Sequence, residues 1–343
     1  MTARTPLVSI LVPVYHAARF LPGLCQSIQA QTYPHYEVLI GSDGSTEDTA
    51  SVLAPFLRDS RFQLLAWQPN RGLSRGMAIL CGAMRGEYWC GTGADDLFHP
   101  TFLEKQVEVM EANPQAFVAH GPPEAIDETG RPSQDGPQLL PLPPQLAPPR
   151  GLEVLLQHNV VNAPSSLARS SVTRQVMPFF HEEWTYAPDW FFWILHAATG
   201  FDLVWDAQPL TQYRVHPGSL TLSPGRAAAR FAKVALIPLC ALAAGARFSG
   251  WAALLWSRWR KTLYHRWILR ALKLCGRGEL KDAWLQQGAA AFYGHRGSRV
   301  SLWSEAIRHA PGALITRHGE RNSSRSLQFP VAGLAQINDP IFR

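Results

Sequence analysis

Apolar runs and amphipathic stretches alternate along the first hundred residues. VSILVPVY, starting at Val8, is a β-branched run and reads as a buried strand. The helical spacing of AARFLPGLCQSIQAQ follows, then YEVLIGSDGS as strand and turn, TEDTASVLAPFLRD as helix and FQLLAWQP as strand. LSRGMAILCGAMRG returns to the helical period, and EYWCGTG is a strand that ends at Asp95 and Asp96. Strands alternating with helices predict parallel βαβ units, an α/β fold whose ligand sites lie at the carboxyl ends of the strands. Asp43 and the Asp95–Asp96 pair both fall at such ends. The topology therefore predicts one crevice for them despite their separation in sequence.

The pattern then changes twice. Residues 121–150 are rich in proline and show no regular period, which predicts a long surface loop inside the α/β domain. Beyond about residue 225 the spacing is helical. ALLWSRWRKTLYHRWILRALKL puts Leu255, Trp259, Leu263 and Trp267 on one stripe, with Arg258, Lys261, Arg266, Arg270 and Lys273 mostly off it. The expected division is an α/β domain over 1–224, a helical C-terminal region over 225–325 and a tail over 326–343.

A chain of 343 residues can bury a large core and still carry an appendage. Its five cysteines are scattered, with no CxxC pair, which argues against a disulfide framework or a zinc site and for a reducing compartment. The apolar run at the N-terminus is too short for a leader or a span, and VALIPLCALAA (234–244) is short and broken by Pro238. The expectation is a cytoplasmic protein. The net charge of +6 is uneven: from Ala207 to Gly278 there is no Asp or Glu. That asymmetry predicts an anionic partner for the C-terminal half, such as lipid headgroups at the inner face of a membrane or a phosphorylated acceptor. No motif points to nucleic acid.

GTGADDLFHP places two like charges side by side where glycines and Pro100 forbid a helix. Read from the residues alone, it is either a surface turn with one acid favouring the next helix start, or a pair of hard oxygen donors for a divalent cation. Asp43 in IGSDGS is likewise an Asp-Gly turn or a ligand-facing acid. Asp189, just before a run of aromatics in YAPDWFFW, reads as a helix-capping residue.

The ordered series of motifs resembles the family 2 glycosyltransferases, nucleotide-sugar enzymes with the GT-A fold. VSILVPVYHAARFLPGLCQSIQAQTYPHYEVLIGSDGSTEDT looks like the family's opening, and NRGLS, RGEYWCGTGADD, HP, PSSLARS, APDWFFW and YRVHPGSLT continue it over roughly residues 6–222. The resemblance implies a Rossmann-like, mostly parallel central sheet flanked by helices. It implies an inverting transferase that moves a sugar from a nucleotide-diphosphate donor, most commonly a UDP-sugar, to a hydroxyl acceptor. Lipid-linked or surface-glycan acceptors, and a role in cell-surface polysaccharide or glycoconjugate synthesis, would suit the basic C-terminal half.

Carried over position by position, Pro13, Val14 and Tyr15 would line the base pocket, largely through backbone, and Asp43 would bond the base or ribose. Asp95 and Asp96 would hold Mg2+ or Mn2+ and contact ribose and sugar. Arg214 and His216 would close over the diphosphate, with His216 reaching a phosphate oxygen or the metal. Asp189 would take the proton from the acceptor hydroxyl. Asn162, Ser165 and Trp190 fall on the acceptor side.

Several positions depart from the family. Ser42, Gly93 and Pro188 each stand where relatives carry an acid, His16 stands where Asn is common, and Met77–Ala78 replace an Arg-Asn pair. Arg75 is close by in sequence, but helical geometry points it elsewhere. These departures leave open an alternative reading: a non-catalytic GT-A module that binds a nucleotide sugar or a partner protein.

Overall fold

The computed structural model describes residues 5–137, 139, 141–179 and 187–219, and in the C-terminal part residues 237, 241, 245, 246, 248–250 and 252–257. Four strands form where the apolar runs predict them: β1 (Val8–Val14), β2 (Tyr36–Asp43), β3 (Phe62–Trp67) and β4 (Tyr88–Gly91). The helices α1 (Leu21–Gln29), α2 (Thr49–Leu53) and α3 (Leu73–Ala83) connect them. All four strands are parallel, in the order β3-β2-β1-β4. Along β1, Val8, Ile10, Val12 and Val14 enter one core layer and Leu11 the other. Burial on both faces is why this strand reads as an unbroken apolar run.

Beyond β4 lie β5 (Leu97–Phe98), α4 (Phe102–Ala112), β6 (Ala116–His120), β7 (Glu124–Ile126), β8 (Gln145–Leu146) and α5 (Arg150–Leu155). They are followed by β9 (Ser166–Arg169), α6 (Ser170–Val176), α7 (Pro188–Ala198), β10 (Asp202–Trp205) and β11 (Thr211–Arg214). The large sheet runs β3-β2-β1-β4-β9-β6-β10-β8, with β9 antiparallel to both β4 and β6. Helices α1, α2 and α4 pack on one face, and α3, α5, α6 and α7 on the other. A small second sheet, β5-β11-β7, stands apart. The expected α/β architecture with a mostly parallel central sheet is present.

The segment 121–150, expected as a long surface loop inside the domain, supplies the short strands β7 to the small sheet and β8 to the edge of the large one, and buries Leu142 and Leu146. Strands of two and three residues are too short to show a period. Most of the basic stripe after Leu255, and the tail, lie outside the described residues. Among the described residues no helix is long and apolar enough to cross a membrane.

Helix α7 shows no amphipathic spacing because it is buried all round. Trp190 to Ala198 are all buried, and Trp193 stacks on Trp89 with ring centroids 6.1 Å apart. The polar group in its middle is satisfied internally. His196 Nδ1 donates to the Phe192 carbonyl (2.8 Å), and its Nε2 accepts from the Thr173 hydroxyl (2.9 Å), which in turn accepts from Trp89 Nε1 (2.7 Å). Ile237, Ala241, Ala252 and Leu255 join the same core, and Ser249 Oγ donates to the Ala198 carbonyl in the last turn of α7 (2.7 Å).

One close approach prepares the site. A Cβ on Gly41 would lie 2.7 Å from Cη2 of Trp67 and 3.2 Å from both Leu80 methyls. The Trp67 ring has no free retreat, because its Nε1 is bonded to Asp43 (2.6 Å). Gly41→Ala is therefore expected to destabilise the fold by about 1–3 kcal/mol, the usual cost of overpacking. Urea unfolding checks this, and a midpoint equal to that of the parent chain would disprove it.

Candidate functional site

Antiparallel pairing of β5 with β11 places Leu97 opposite Gln212 and Phe98 opposite Thr211. Continued by two residues, that register brings Arg214 against the acidic turn that precedes β5. The contacts follow. The Arg214 main-chain N–H donates to Asp96 Oδ1 (3.0 Å), and its Nε donates to the Asp95 carbonyl (2.8 Å). Its Nη1 donates to the carbonyls of Asp127 (2.9 Å) and Glu128 (3.1 Å), in the turn after β7. The Phe20 ring lies beneath this guanidinium, 5.4 Å from Cζ, and 5.0 Å from the His216 ring. Arg19 and Glu128 close the outer side with an ion pair of 2.9 Å.

His216 reaches the same turn from the other side. Its Nδ1 accepts from the Gly218 N–H (3.2 Å), so in the neutral ring the proton sits on Nε2, which donates to Asp95 Oδ2 (3.0 Å). A nitrogen that carries a proton offers no lone pair to a metal. In this arrangement His216 is a hydrogen-bond donor to Asp95.

Asp96 is 3 % exposed and Asp95 is half-buried. Burial, reinforced by the adjacent Asp95 charge, pushes the Asp96 carboxyl well above the ordinary carboxylate range. Two acids held together at this cost favour a cationic visitor. A Cβ on Gly93 would lie 2.4 Å from Asp95 Oδ1 and 3.0 Å from Asp96 Oδ2. One oxygen of each acid thus converges on the space that a side chain at 93 would fill. The residue found here is the one that permits the convergence, and two hard oxygens on one side suit magnesium or manganese. Among the described residues no three His, Cys, Asp or Glu side chains are grouped to hold a metal by themselves.

The other expected residues are distributed around this turn. Asp43 lies at the same edge of the sheet, but its carboxylate is already engaged. Oδ1 accepts from Trp67 Nε1 (2.6 Å) and the Arg71 N–H (2.6 Å), and Oδ2 accepts from the Gly72 N–H (2.8 Å). It therefore neutralises the N-terminus of α3 and clamps the loop after β3. Pro13 and Val14 end β1, and the Tyr15 ring beyond them is 53 % exposed. Met77 is half-buried, with its Cε within 3.4 Å of the position a Gly91 Cβ would take.

β9 is antiparallel to β4, so its start lies at the edge where β4 ends. The preceding loop holds Asn162, whose Oδ1 accepts from Ser165 Oγ (2.9 Å), and Ser165 also shares a hydrogen bond with Thr211. Two acceptor-side expectations are corrected here. Ser165 is buried with its hydroxyl spent on these partners, and Trp190 is 5 % exposed, with Nε1 donating to the Leu155 carbonyl (2.6 Å). Trp190 belongs to the core because α7 is buried on every side. Asn162 remains half-exposed.

Asp189 occupies the first turn of α7, half-buried, with Oδ2 accepting from Asn159 Nδ2 (3.0 Å). Burial raises its carboxyl above the ordinary value, while the Asn159 amide and the helix-end N–H groups oppose that rise. Its side chain is held by Asn159 and not by the acidic turn. Arg19, Phe20, Glu128 and Asn159 escaped the sequence reading. None has a distinctive neighbour pattern, and their places follow from contacts between segments far apart in the chain.

Residues 9–160 match the profile described as Glycosyl transferase family 2. An uncharacterised glycosyltransferase of Haemophilus influenzae is 29% identical over 217 residues, 62% of this chain and 66% of the relative. The putative teichuronic acid biosynthesis glycosyltransferase TuaG of Bacillus subtilis is 30% identical over 122 residues, 35% of this chain and 48% of its own. The chain thus spans less than two thirds of these relatives' length. Among solved structures, S. aureus TarS 1-349 superposes with a TM-score of 0.59 at 14% identity, covering 83% of this chain and 81% of that one. The mannosyltransferase PcManGT from Pyrobaculum calidifontis, in complex with GDP-Man and Mn2+, gives 0.51 at 16% identity, covering 89% and 81%. At such identities the structural likeness speaks for the fold. The ordered motifs, the profile match over residues 9–160 and the shared fold together support a family 2 glycosyltransferase.

Proposed function

We propose that this protein is an inverting glycosyltransferase, using a nucleotide-diphosphate sugar and a divalent cation to glycosylate a hydroxyl acceptor. The observation that carries the reading is the Asp95–Asp96 turn. It is buried, braced by Arg214 and His216, and its acids are turned to one side over Gly93. Asp95 and Asp96 would hold Mg2+ or Mn2+, which when bound acts as a Lewis acid on the diphosphate leaving group. The remaining coordination positions suit substrate phosphate oxygens.

The chain's own residues would do the rest. His216 Nε2–H orients Asp95, and Arg214 keeps the turn rigid through the main chain. Pro13, Val14 and the exposed Tyr15 ring offer a platform for the base, beside the Asp43 clamp. Asp189 acts as general base: it takes the acceptor's proton as that oxygen bonds the anomeric carbon. The bond to the diphosphate breaks with its electron pair leaving on the nucleotide. A single displacement inverts the anomeric centre and needs no covalent enzyme intermediate.

TarS crystals contain UDP or UDP-GlcNAc, and PcManGT contains GDP-Man with Mn2+, which supports a sugar nucleotide as donor. TuaG's teichuronic acid role supports a surface-polysaccharide acceptor. Residues 1–224 would be the transferase domain, and the basic region after 225 would face a lipid-linked acceptor at the membrane.

Thermal melting with UDP, GDP, CDP or dTDP, each with Mn2+, Mg2+ or chelator, tests the site. A nucleotide at a hundred times its dissociation constant adds about 2.7 kcal/mol, or roughly 5–10 °C at about 2–4 °C per kcal/mol. The expected result is a rise with one base, lost on chelation and in Asp95→Ala. No rise with any nucleotide would favour the non-catalytic alternative.

A further inference from the structure

Asp189 is an anomaly on its helix. From Trp190 to Ala198 every residue of α7 is buried, and the side chains there are apolar except for the internally bonded His196. A carboxylate at the head of such a helix is costly to desolvate, and Ala187 before it supplies no side-chain cap. Among the described residues that carboxylate has one side-chain partner, the amide of Asn159.

Asn159 itself is exposed, yet it is not loosely placed. Behind it, the Trp190 indole N–H bonds the Leu155 carbonyl at 2.6 Å and ties the end of α5 to the first turn of α7. Ahead of it, Val160 and Val161 are buried, each 1 % exposed. The loop is thus anchored on both sides of Asn159, once through the residue next to Asp189. Anchoring on both sides lowers the rotamer and backbone entropy that an exposed asparagine would otherwise lose on making this bond.

We propose that Asn159 is a positioning residue for the catalytic base. Its Nδ2 holds Oδ2 of Asp189 and leaves Oδ1 as the oxygen that receives the acceptor's proton. This rests on the reading of Asp189 as general base and adds what aims it. The residue beside Asp189 is Pro188, which offers no hydrogen bond to aim the carboxylate; orientation comes from a neutral amide on a different segment. A neutral donor directs the carboxylate without neutralising its charge, as a base requires. The influences on Asp189 from described residues are burial, which opposes ionisation, then the Asn159 amide and the N–H groups of Trp190 and Asp189, which favour it. His158 is the titratable side chain next to Asn159 and is exposed. Glu153 of α5 pairs with Arg150 (3.4 Å). His181, Glu182 and Glu183 precede α7 in sequence and lie outside the described residues.

The test is carboxyl NMR on the full chain labelled with 13C-aspartate, with the Asp189 signal assigned by its loss in Asp189→Asn. Titration is compared between the parent, Asn159→Ala and Asn159→Leu, the last filling the space against water. Removing the donor should raise the Asp189 midpoint by roughly one pH unit, and by linkage lower the melting temperature at pH 7 by about 3–5 °C, a loss that fades as Asp189 is protonated. A purely structural asparagine would lower the melting temperature equally at every pH and leave the midpoint in place, and an unmoved midpoint in both variants overturns the proposal. The failure of the underlying reading looks different: Asp189→Asn would then still transfer sugar.

Discussion

Asp189→Asn is expected to abolish transfer while sparing nucleotide binding. The substitution keeps the side chain's size, and the new amide oxygen can still accept from Asn159, so the head of α7 should fold as before. What disappears is the oxygen basicity that draws the proton from the acceptor hydroxyl. Positioned general bases contribute about 10²–10⁴ in rate, so kcat should fall by that factor. The donor KM should stay within a few-fold, because the base acts on the transition state and not on the bound nucleotide. The measurement is release of nucleoside diphosphate from the sugar nucleotide selected by thermal melting, alongside its thermal shift. Undiminished turnover would remove Asp189 from the mechanism. A lost thermal shift would mean that the residue serves nucleotide binding.

Acidification is expected to lower the protein's stability steadily from about pH 6.5, before most carboxylates titrate. His120 and His196 are fully buried and neutral, and burial pushes their imidazoles down to about 3 and about 4, from the ordinary 6.5. His196 is satisfied by Thr173 and Phe192, whereas both His120 nitrogens, beside the Trp205 ring, lack a hydrogen-bond partner among the described residues. In the unfolded chain both rings take up a proton near pH 6.5, while in the fold they do so only near their depressed values. Between those limits the unfolded state binds more protons, so stability falls as pH falls. At about 1.4 kcal/mol per ring per pH unit, the loss reaches roughly 5 kcal/mol by pH 4.5. That is the scale of a whole domain's stability.

Asp96 works in the opposite sense. Its raised carboxyl binds a proton in the fold before it does in the unfolded chain, which offsets part of the histidine loss from that raised value down to the ordinary carboxylate range. Urea unfolding at pH 7, 6, 5 and 4.5 measures the slope. Replacing the unpaired ring in His120→Leu should cut that slope by about half, since one of two proton uptakes is removed. A stability that is flat from pH 7 to 4.5 would contradict the buried neutral state of both rings.

The sequence by itself determined the alternation of strand and helix over the first hundred residues. The reason is burial on both faces: β1, β2 and β4 are mainly apolar runs without strict alternation, and α1 and α3 carry apolar residues at helical spacing. It also determined the two adjacent acids at a strand end, because a turn bounded by glycine and proline is a local property. The ordered motifs sufficed for the family.

Tertiary structure alone decided which acids work together and what restrains them. Asp43 reads like a ligand residue, yet the loop after β3 folds back and takes its oxygens. Arg214 reads like a phosphate residue, yet the register of β5 on β11 turns it onto the acidic turn. Trp190 reads like a sugar platform, yet α7 is enclosed on every side. Asn159 has no local signature at all, and its role arises where the end of α5 meets the head of α7. In each case the deciding partner lies more than twenty residues away, and periodicity and turn chemistry describe only near neighbours. A side chain's type can be read locally, but what it touches is set by the packing of remote segments.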